Sequence, residues 1–430
     1  MPMPTLVRQQ LARHQGRIEL VVRYLTGQGI LQVVSLLNGF FIIRWLDFEN
    51  QAKFTIAMGA LSTISFLSDL GFGGSLLSLV GNNMSDNKIV STYLSAINYY
   101  KKKLIILSVI LSFIVTICLF VKNRAWGYEY YYLYALVLIG ALYQSSLGPY
   151  SAIMQAKGKL TAFYTPQIIA SFLRLLISFM LVNFYYLNSI MAVCLISIGT
   201  GFVHFYQKDS VKEYLTKNSE ISPIIKGEVL NRIIPVLPLS ILFLIQAQVS
   251  TFLISYYASY KVIAEIGALS RLGQFYSLLT PFTTVVLLPY FAKSSSEKLI
   301  IKIIIVSIAS VLVTVPFSLM AFLYPDLYLL LLGKKFYQLK PYIGLFFISS
   351  SINYVSGVVW SIIFARGFTK WHSSIISLAL TIAVQALCLA NISLTSTLNI
   401  LYFNFWTFAA SLVVNFTICT IGIITSKNRL

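Results

Sequence analysis

The chain alternates long apolar runs with short polar loops, and each run is close to the ~20 residues an α-helix needs to cross a bilayer. In the first half the runs are Tyr24–Leu46, Phe54–Val80, Leu104–Val121, Tyr130–Tyr150, Ala162–Tyr186 and Leu187–Phe205. In the second half they are Ile233–Tyr257, Val262–Phe291, Leu299–Tyr324, Pro341–Ala365, Ser373–Ile392 and Leu398–Thr425. Ten-residue stretches of strict alternation, the mark of a membrane β-barrel, are absent. The pattern therefore predicts an all-α membrane protein of about 12 transmembrane helices, six to a half.

Residues 1–23 precede the first run and set Arg8, Arg13, Arg17 and Arg23 among Leu6, Val7, Leu11, Ile18 and Val21. Such a segment reads as a basic amphipathic helix lying at the membrane surface, with no signal-peptide cleavage pattern after it. The organisation expected is a first lobe at 24–206, a mixed-charge linker at 207–232 and a second lobe at 233–430. Placing both termini in the cytoplasm puts most of the 32 Lys and Arg on that side, as the positive-inside rule requires. Lys334, Lys335 and Lys340 are the exception, falling in an outer loop. Because six is even, both lobes enter the membrane in the same sense, so a pseudo-two-fold axis would run along the membrane normal.

Two stretches suggest that one half repeats the other. Leu67–Leu77 (LSDLGFGGSLL) recurs as Leu269–Leu279 (LSRLGQFYSLL) at an offset of 273 − 71 = 202, and Ala156-Lys157-Gly158 recurs as Ala365-Arg366-Gly367 at 367 − 158 = 209. In the longer stretch, Asp69 is replaced by Arg271. Opposite charges at equivalent positions predict that the two residues face each other across the centre.

Composition narrows the class. With 57% hydrophobic and 10% charged residues and a mean hydropathy of +0.80, no soluble catalytic domain remains. The net charge of +19 is accounted for by loop topology, not by nucleic-acid binding. Cys118, Cys194, Cys388 and Cys419 sit in apolar runs without Cys-x-x-Cys spacing, so neither a disulfide frame nor a metal site is expected. Prolines gather in the second half at Pro235, Pro238, Pro281, Pro289 and Pro316, where each can bend a span. Tyr128, Tyr130, Tyr131, Tyr132 and Tyr134 read as an interfacial aromatic belt.

A charge inside the bilayer costs roughly 2.5–3.5 kcal/mol on insertion scales, so Asp69, Arg174 and Arg271 are expected to line a wet cavity. Arginine suits a phosphate because its planar fork donates two parallel hydrogen bonds and stays ionised. Asn38, Gln144, Asn183, Gln246, Gln248, Asn353 and Gln385 are the uncharged polar groups at span positions, available to sugar hydroxyls unless they bond a neighbouring helix instead, and Asn38, Gln144, Gln246 and Gln248 are the sugar contacts singled out.

Several short motifs, taken in order, resemble the lipid-linked oligosaccharide and polysaccharide flippases of the multidrug/oligosaccharidyl-lipid/polysaccharide exporter superfamily. They are Arg44-Trp45-Leu46 followed by Glu49, Asp69-Leu70-Gly71, Gln155-Ala156-Lys157-Gly158-Lys159, Leu332-Gly333-Lys334-Lys335-Phe336-Tyr337 and Ala365-Arg366-Gly367. The chain departs from the family pattern at Gln51-Ala52-Lys53, where a glycine is usual, and at Gln246 and Gln248, where many relatives carry an acid. The resemblance implies a V-shaped alternating-access transporter in a bacterial inner membrane, moving an undecaprenyl-pyrophosphate-linked oligosaccharide such as an O-antigen unit outward. It implies no cofactor, an H+ or Na+ gradient as drive with no ion site assigned, and membrane lipids, a polysaccharide polymerase and a chain-length regulator as partners. A membrane glycan polymerase or ligase is the enzymatic alternative; it calls for a large outer loop that this chain lacks. A drug or metabolite antiporter on the same scaffold calls for an acid-rich cavity.

Overall fold

The computed structural model describes residues 5–80, 86–122, 128–214, 222–234, 237, 253–280, 283, 287, 290–291, 299–366, 368 and 371–427. Among them the regular structure is entirely helical. The first half comprises α1 (Thr5–Trp45), α2 (Phe48–Asp69), α3 (Phe72–Val80), α4 (Asn87–Lys122), α5 (Tyr128–Ala156), α6 (Leu160–Asn183) and α7 (Ser189–Ser210). A 3-10 turn at Lys212–Tyr214 and α8 (Pro223–Ile233) lead out of it. The second half comprises α9 (Tyr260–Leu272), α10 (Gln274–Ser277), α11 (Leu299–Leu323), α12 (Pro325–Leu332), a 3-10 stretch at Lys334–Tyr342, α13 (Ile343–Ala365), α14 (Trp371–Asn391) and α15 (Thr397–Lys427).

Among the described residues, six helical stretches are long and apolar enough to cross a membrane by composition: Val22–Trp45, Leu160–Asn183, Ser189–Ser210, Leu299–Leu323, Lys334–Ile363 and Thr397–Ile424. Ile375–Asn391 is a shorter apolar helix. The other expected spans fall on α2–α3, on α4 and α5 with their polar ends, and on 233–257 and α9–α10, which are only partly described. Long apolar side chains such as Ile304, Ile305 and Ile308 are more than half exposed, a surface that lipid, not water, would cover.

Local chemistry accounts for where the helices start and stop. Asp47 caps α2 by accepting from Asn50 N–H at 2.6 Å, and Asn188 caps α7 by accepting from Met191 N–H at 2.9 Å. Ser222 accepts from Ile224 N–H ahead of Pro223 at the start of α8. Gly158 (φ +69) and Gly333 (φ +97) turn the chain after α5 and α12 in the left-handed region that a side chain resists.

The basic N-terminal segment joins the first span in one helix, α1, which runs unbroken from Thr5 to Trp45, since no proline interrupts the pattern. Two expectations change here. The second span is broken, with Leu70 (φ 39) and Gly71 (φ 88) ending α2 and letting α3 start afresh. Finally, the offset of 202 is not the structural repeat. Helix starts Phe48 and Tyr260 differ by 260 − 48 = 212, Ser189 and Thr397 by 397 − 189 = 208, and helix ends Ala156 and Ala365 by 365 − 156 = 209. Asp69 lies 69 − 48 = 21 residues into its helix and Arg271 only 271 − 260 = 11 into its own. At 1.5 Å per residue they differ by about 15 Å in depth.

Helices of the first half pack chiefly on one another (α5 with α7, α1 with α6, α2 with α4 and α5), and those of the second half likewise (α13 with α11 and α15, α14 with α15). The main contacts between the two sets run from α1 and α2 to α9, α10 and α12. Two shared cores result. Phe40 and Ile43 join Leu269, Leu272, Leu329, Leu332 and Phe336, while Ala52 and Ile56 join Ile254, Ile263, Ala264 and Ile400. Both lie toward the end of the bundle that holds the α1–α2 turn.

Candidate functional site

Two adjoining cavities open within the first half, of about 670 and 240 Å³, and Gln144, Gln167, Arg174 and Thr200 line both. Asp69 lines the larger. Another cavity, of about 490 Å³, lies between α9, α10, α13 and α15 in the second half. The recurrent LSRLG stretch supplies much of its wall through Leu269, Ser270, Gly273, Gln274, Tyr276 and Ser277.

Arg174 sits 174 − 160 = 14 residues into α6, about 21 Å along the helix, too deep to reach an interface easily. Its guanidinium lies over Gly199 of α7: a Cβ there would stand 3.2 Å from Nη2. Its Nε is buried without a hydrogen-bond acceptor. Arg271 extends from the last turn of α9 against Gly39 of α1, where a Cβ would lie 3.4 Å from its Cδ, and its guanidinium stacks 5.5 Å from the Phe54 ring of α2. It therefore reaches from the second half to the first. Positive charge placed in an apolar wall favours an anion beside it.

The acids do not neutralise these arginines. Ion pairs among the described residues are Glu49–Lys53, Glu129–Lys53, Asp69–Lys101, Glu213–Lys159 and Asp326–Lys340. The expected facing of Asp69 and Arg271 is thus not formed. Asp69 takes a hydrogen bond from the Lys101 ammonium of α4 and a longer one from Gly73 N–H at 3.2 Å, which caps α3. The reason is the difference in depth described above, together with the break at Leu70–Gly71 that turns Asp69 toward α4 and α5. There α3 and α5 touch backbone to backbone, a Cβ on Gly73 standing 3.0 Å from the Gly148 carbonyl carbon. The cavity wall at Asp69 consequently carries no net charge.

Of the uncharged candidates, Gln144 is exposed to both cavities of the first half. Asn38 is buried and donates to the Ser171 carbonyl of α6 at 3.4 Å, its own carbonyl oxygen left without a partner. Gln246 and Gln248 lie outside the described residues, as do Pro235, Pro238, Pro281 and Pro289. Cys194, Cys388 and Cys419 are free thiols.

Reading the sequence missed two features. Glu265, six residues before Arg271, is a second acid within the span that begins near Val262; it is 5% exposed and accepts from Gln338 Nε2 at 2.9 Å and from the Thr397 hydroxyl. Its place inside an apolar run was a visible signal. The second is what Lys335 and Lys340 do. Lys335 donates to the Leu46 carbonyl at the end of α1 and stacks 4.9 Å from the Phe336 ring, while Lys340 pairs with Asp326 at 2.8 Å. Arg44 donates to the Leu330 carbonyl at 3.3 Å, Phe48 meets Phe336 edge-on, and Tyr130 bonds Tyr260 at 3.3 Å. The motifs around Arg44 and Gly333 thus fasten one half to the other, which explains why positive charge stays in that loop.

The sequence matches no protein-family model and no curated protein. Solved structures do match, over nearly the whole chain. An inward-facing multidrug resistance MATE family transporter of the MOP superfamily aligns at 13% identity and a TM-score of 0.59, covering 95% of this chain and 98% of that one. A MOP superfamily transporter from Pyrococcus furiosus, whose title describes reverse polarity of its binding pocket, aligns at 12% identity and 0.57, covering 95% of each chain. The lipid II flippase MurJ in an inward closed conformation aligns at 15% identity and 0.56, covering 95% of this chain and 87% of that one. The chain has the fold of MOP superfamily transporters, a multi-pass helical membrane architecture, and the structures that share it are transporters and a flippase.

Proposed function

We propose that the protein is a flippase that carries an undecaprenyl-pyrophosphate-linked oligosaccharide, such as a surface-polysaccharide repeat unit, from the cytoplasmic to the periplasmic leaflet of a bacterial inner membrane. The observation that carries this reading is the pair Arg174 and Arg271, cations within the spans that no acid neutralises among the described residues. A diphosphate is the matching cargo group, since each of its tetrahedral phosphates presents oxygens that accept the paired hydrogen bonds of a planar guanidinium. A cationic drug would meet repulsion there, and the one acid on the cavity wall is already held by Lys101. The structural neighbour described as a lipid II flippase supports a lipid-linked cargo.

In this reading the lobes are 24–206 and 233–430, joined by the linker 207–232, with both termini cytoplasmic. The contacts at the α1–α2 turn then lie on the periplasmic side, so the protein is closed outward, and cargo reaches the arginines from the cytoplasm. Rocking the lobes about that seam exposes the same arginines to the other side. A proton or Na+ gradient supplies the drive, and Glu265 is the carboxylate buried among neutral donors that such coupling can use. A polymerase and a chain-length regulator take up the product.

The test uses inner-membrane vesicles from cells lacking the gene. Lipid-linked oligosaccharide should accumulate in the cytoplasmic leaflet and should be released by the wild-type chain but not by Arg271→Ala inserted at equal level. Wild-type translocation by that variant would refute the anion-binding role.

A further inference from the structure

The two halves offer chemically different cavities. Those of the first half include Arg174 and Asp69, whereas the 490 Å³ cavity of the second half has, among the described residues, no Lys, Arg, His, Asp or Glu on its wall. In their place stand amides and hydroxyls beside ring faces, and the volume falls in the range of pockets that enclose a small ligand, roughly 300–1,000 Å³.

The polar groups are held within the spans. Asn353 is 353 − 343 = 10 residues into α13, and Asn404 is 404 − 397 = 7 residues into α15, so about 15 and 11 Å along their helices. Among the described residues, the side chains of Gln274, Ser350, Asn353 and Asn404 form no hydrogen bond with another residue, although each lines the cavity. An amide in a span ordinarily bonds a neighbouring helix, as Asn415 does here by donating to Ser356. Asn353 and Asn404 keep both donors and acceptors for whatever enters. Tyr354 and Phe408 supply aromatic surface in the same wall, on which the C–H face of a pyranose can lie while the amides meet its hydroxyls. Neither a phosphate nor an alkyl chain makes use of this combination.

Arg271 joins the two chemistries. It falls between Ser270 and Gly273 of this cavity's wall, yet its guanidinium points to Gly39 and Phe54 of the first half. A Cβ on Gly39 would stand 3.6 Å from Arg271 Nη1 and 3.5 Å from Gln274 Oε1, so the guanidinium lies beside a residue of this cavity's wall.

We infer that the second-half cavity is a subsite for a neutral sugar, a hexose or N-acetylhexosamine, of the cargo's headgroup. This rests on the proposed function for its place in the cargo. A uronic or sialic acid is excluded from the subsite, because its carboxylate would be buried against a wall with no cation to pair it.

The experiment measures binding to the full-length protein in nanodiscs. Its probes are farnesyl pyrophosphate, farnesyl pyrophosphate carrying N-acetylglucosamine or galactose, farnesyl pyrophosphate carrying glucuronic acid, and free N-acetylglucosamine disaccharide. At least one neutral sugar should tighten binding over the bare pyrophosphate by about 10-fold or more, the gain expected from two or more hydrogen bonds, and glucuronic acid should add nothing. Asn353→Ala combined with Asn404→Ala should remove that gain and leave bare farnesyl pyrophosphate bound as before. Arg271→Ala should weaken every pyrophosphate probe and preserve the ratio between sugar-bearing and bare ones. No gain from either neutral sugar, an equal gain from glucuronic acid, or a gain that survives in the double Asn variant overturns the subsite. If no pyrophosphate probe binds, the flippase reading falls. The free disaccharide then decides separately: binding to wild type but not to the double Asn variant upholds the sugar site, and any other result removes it.

Discussion

Replacing Gly267 by alanine tests whether the seam between the halves is as tight as its geometry implies. Gly267 lies in α9 where it crosses α2, and a Cβ there would stand 2.2 Å from Thr55 Oγ1, 3.1 Å from its Cγ2 and 3.2 Å from its Cβ. Rotating the threonine does not cure this, because the branched side chain places a heavy atom near the new methyl in each rotamer and its Oγ1 is engaged with the Gln51 carbonyl at 2.8 Å. Overpacking of this kind costs ~1–3 kcal/mol. Alanine also strengthens an exposed helix by up to about 1 kcal/mol relative to glycine, but α9 is helical whether or not the halves are in contact, so this gain cancels in the opening equilibrium. The closed arrangement should therefore lose a factor of roughly 5 to 150 against the opened one.

Spin labels at Tyr131 of α5 and Leu327 of α12, both well exposed, report the separation across the seam by pulsed electron resonance. Gly267→Ala should broaden and lengthen the distance distribution while the protein still inserts in the membrane. Adding Thr55→Ala removes two of the three clashing atoms and should restore most of the wild-type distribution. An unchanged distribution in the single variant, or no recovery in the double one, would refute the argument.

Three further outcomes follow from the same geometry. Asp69→Asn should lower thermal stability in detergent by up to ~3–5 kcal/mol, the cost of stranding a buried cation, reduced here because Asp69 is 31% exposed whereas Lys101 is 3% exposed; Asp69→Asn with Lys101→Met should recover much of it. Arg271→Lys keeps the charge but loses the planar fork, so translocation should fall well below wild type yet remain above Arg271→Ala in the vesicle assay. The Lys159 ammonium, by hydrogen bonding Glu213 at 2.9 Å, holds that carboxyl below its usual range. Folding linkage then gives a contribution that is complete above the ordinary glutamate value of about 4.3 and is lost as pH falls through the lower folded value; a pH titration of the melting temperature should show that part vanish in Glu213→Gln.

Much of the architecture is dictated locally and can be read from the chain alone. A span must satisfy its own backbone in lipid, so runs such as Leu299–Leu323 and Leu160–Asn183 declare themselves by length and hydropathy. Arg174 likewise announces a cavity, because a charge at that depth needs water or a partner, and it lines both cavities of the first half. Partners were another matter. That Asp69 meets Lys101 instead of Arg271, that Lys335 reaches the end of α1, and that Asn353 and Asn404 share one wall all depend on which helices lie side by side and at what depth. The recurrence at an offset of 202 misled for the same reason: similar apolar stretches align by composition, whereas equivalence in the fold is set by where each helix starts at the membrane boundary, near 208 to 212 residues on. Spacing along one helix is a local quantity, but a contact between helices is decided only when their faces pack.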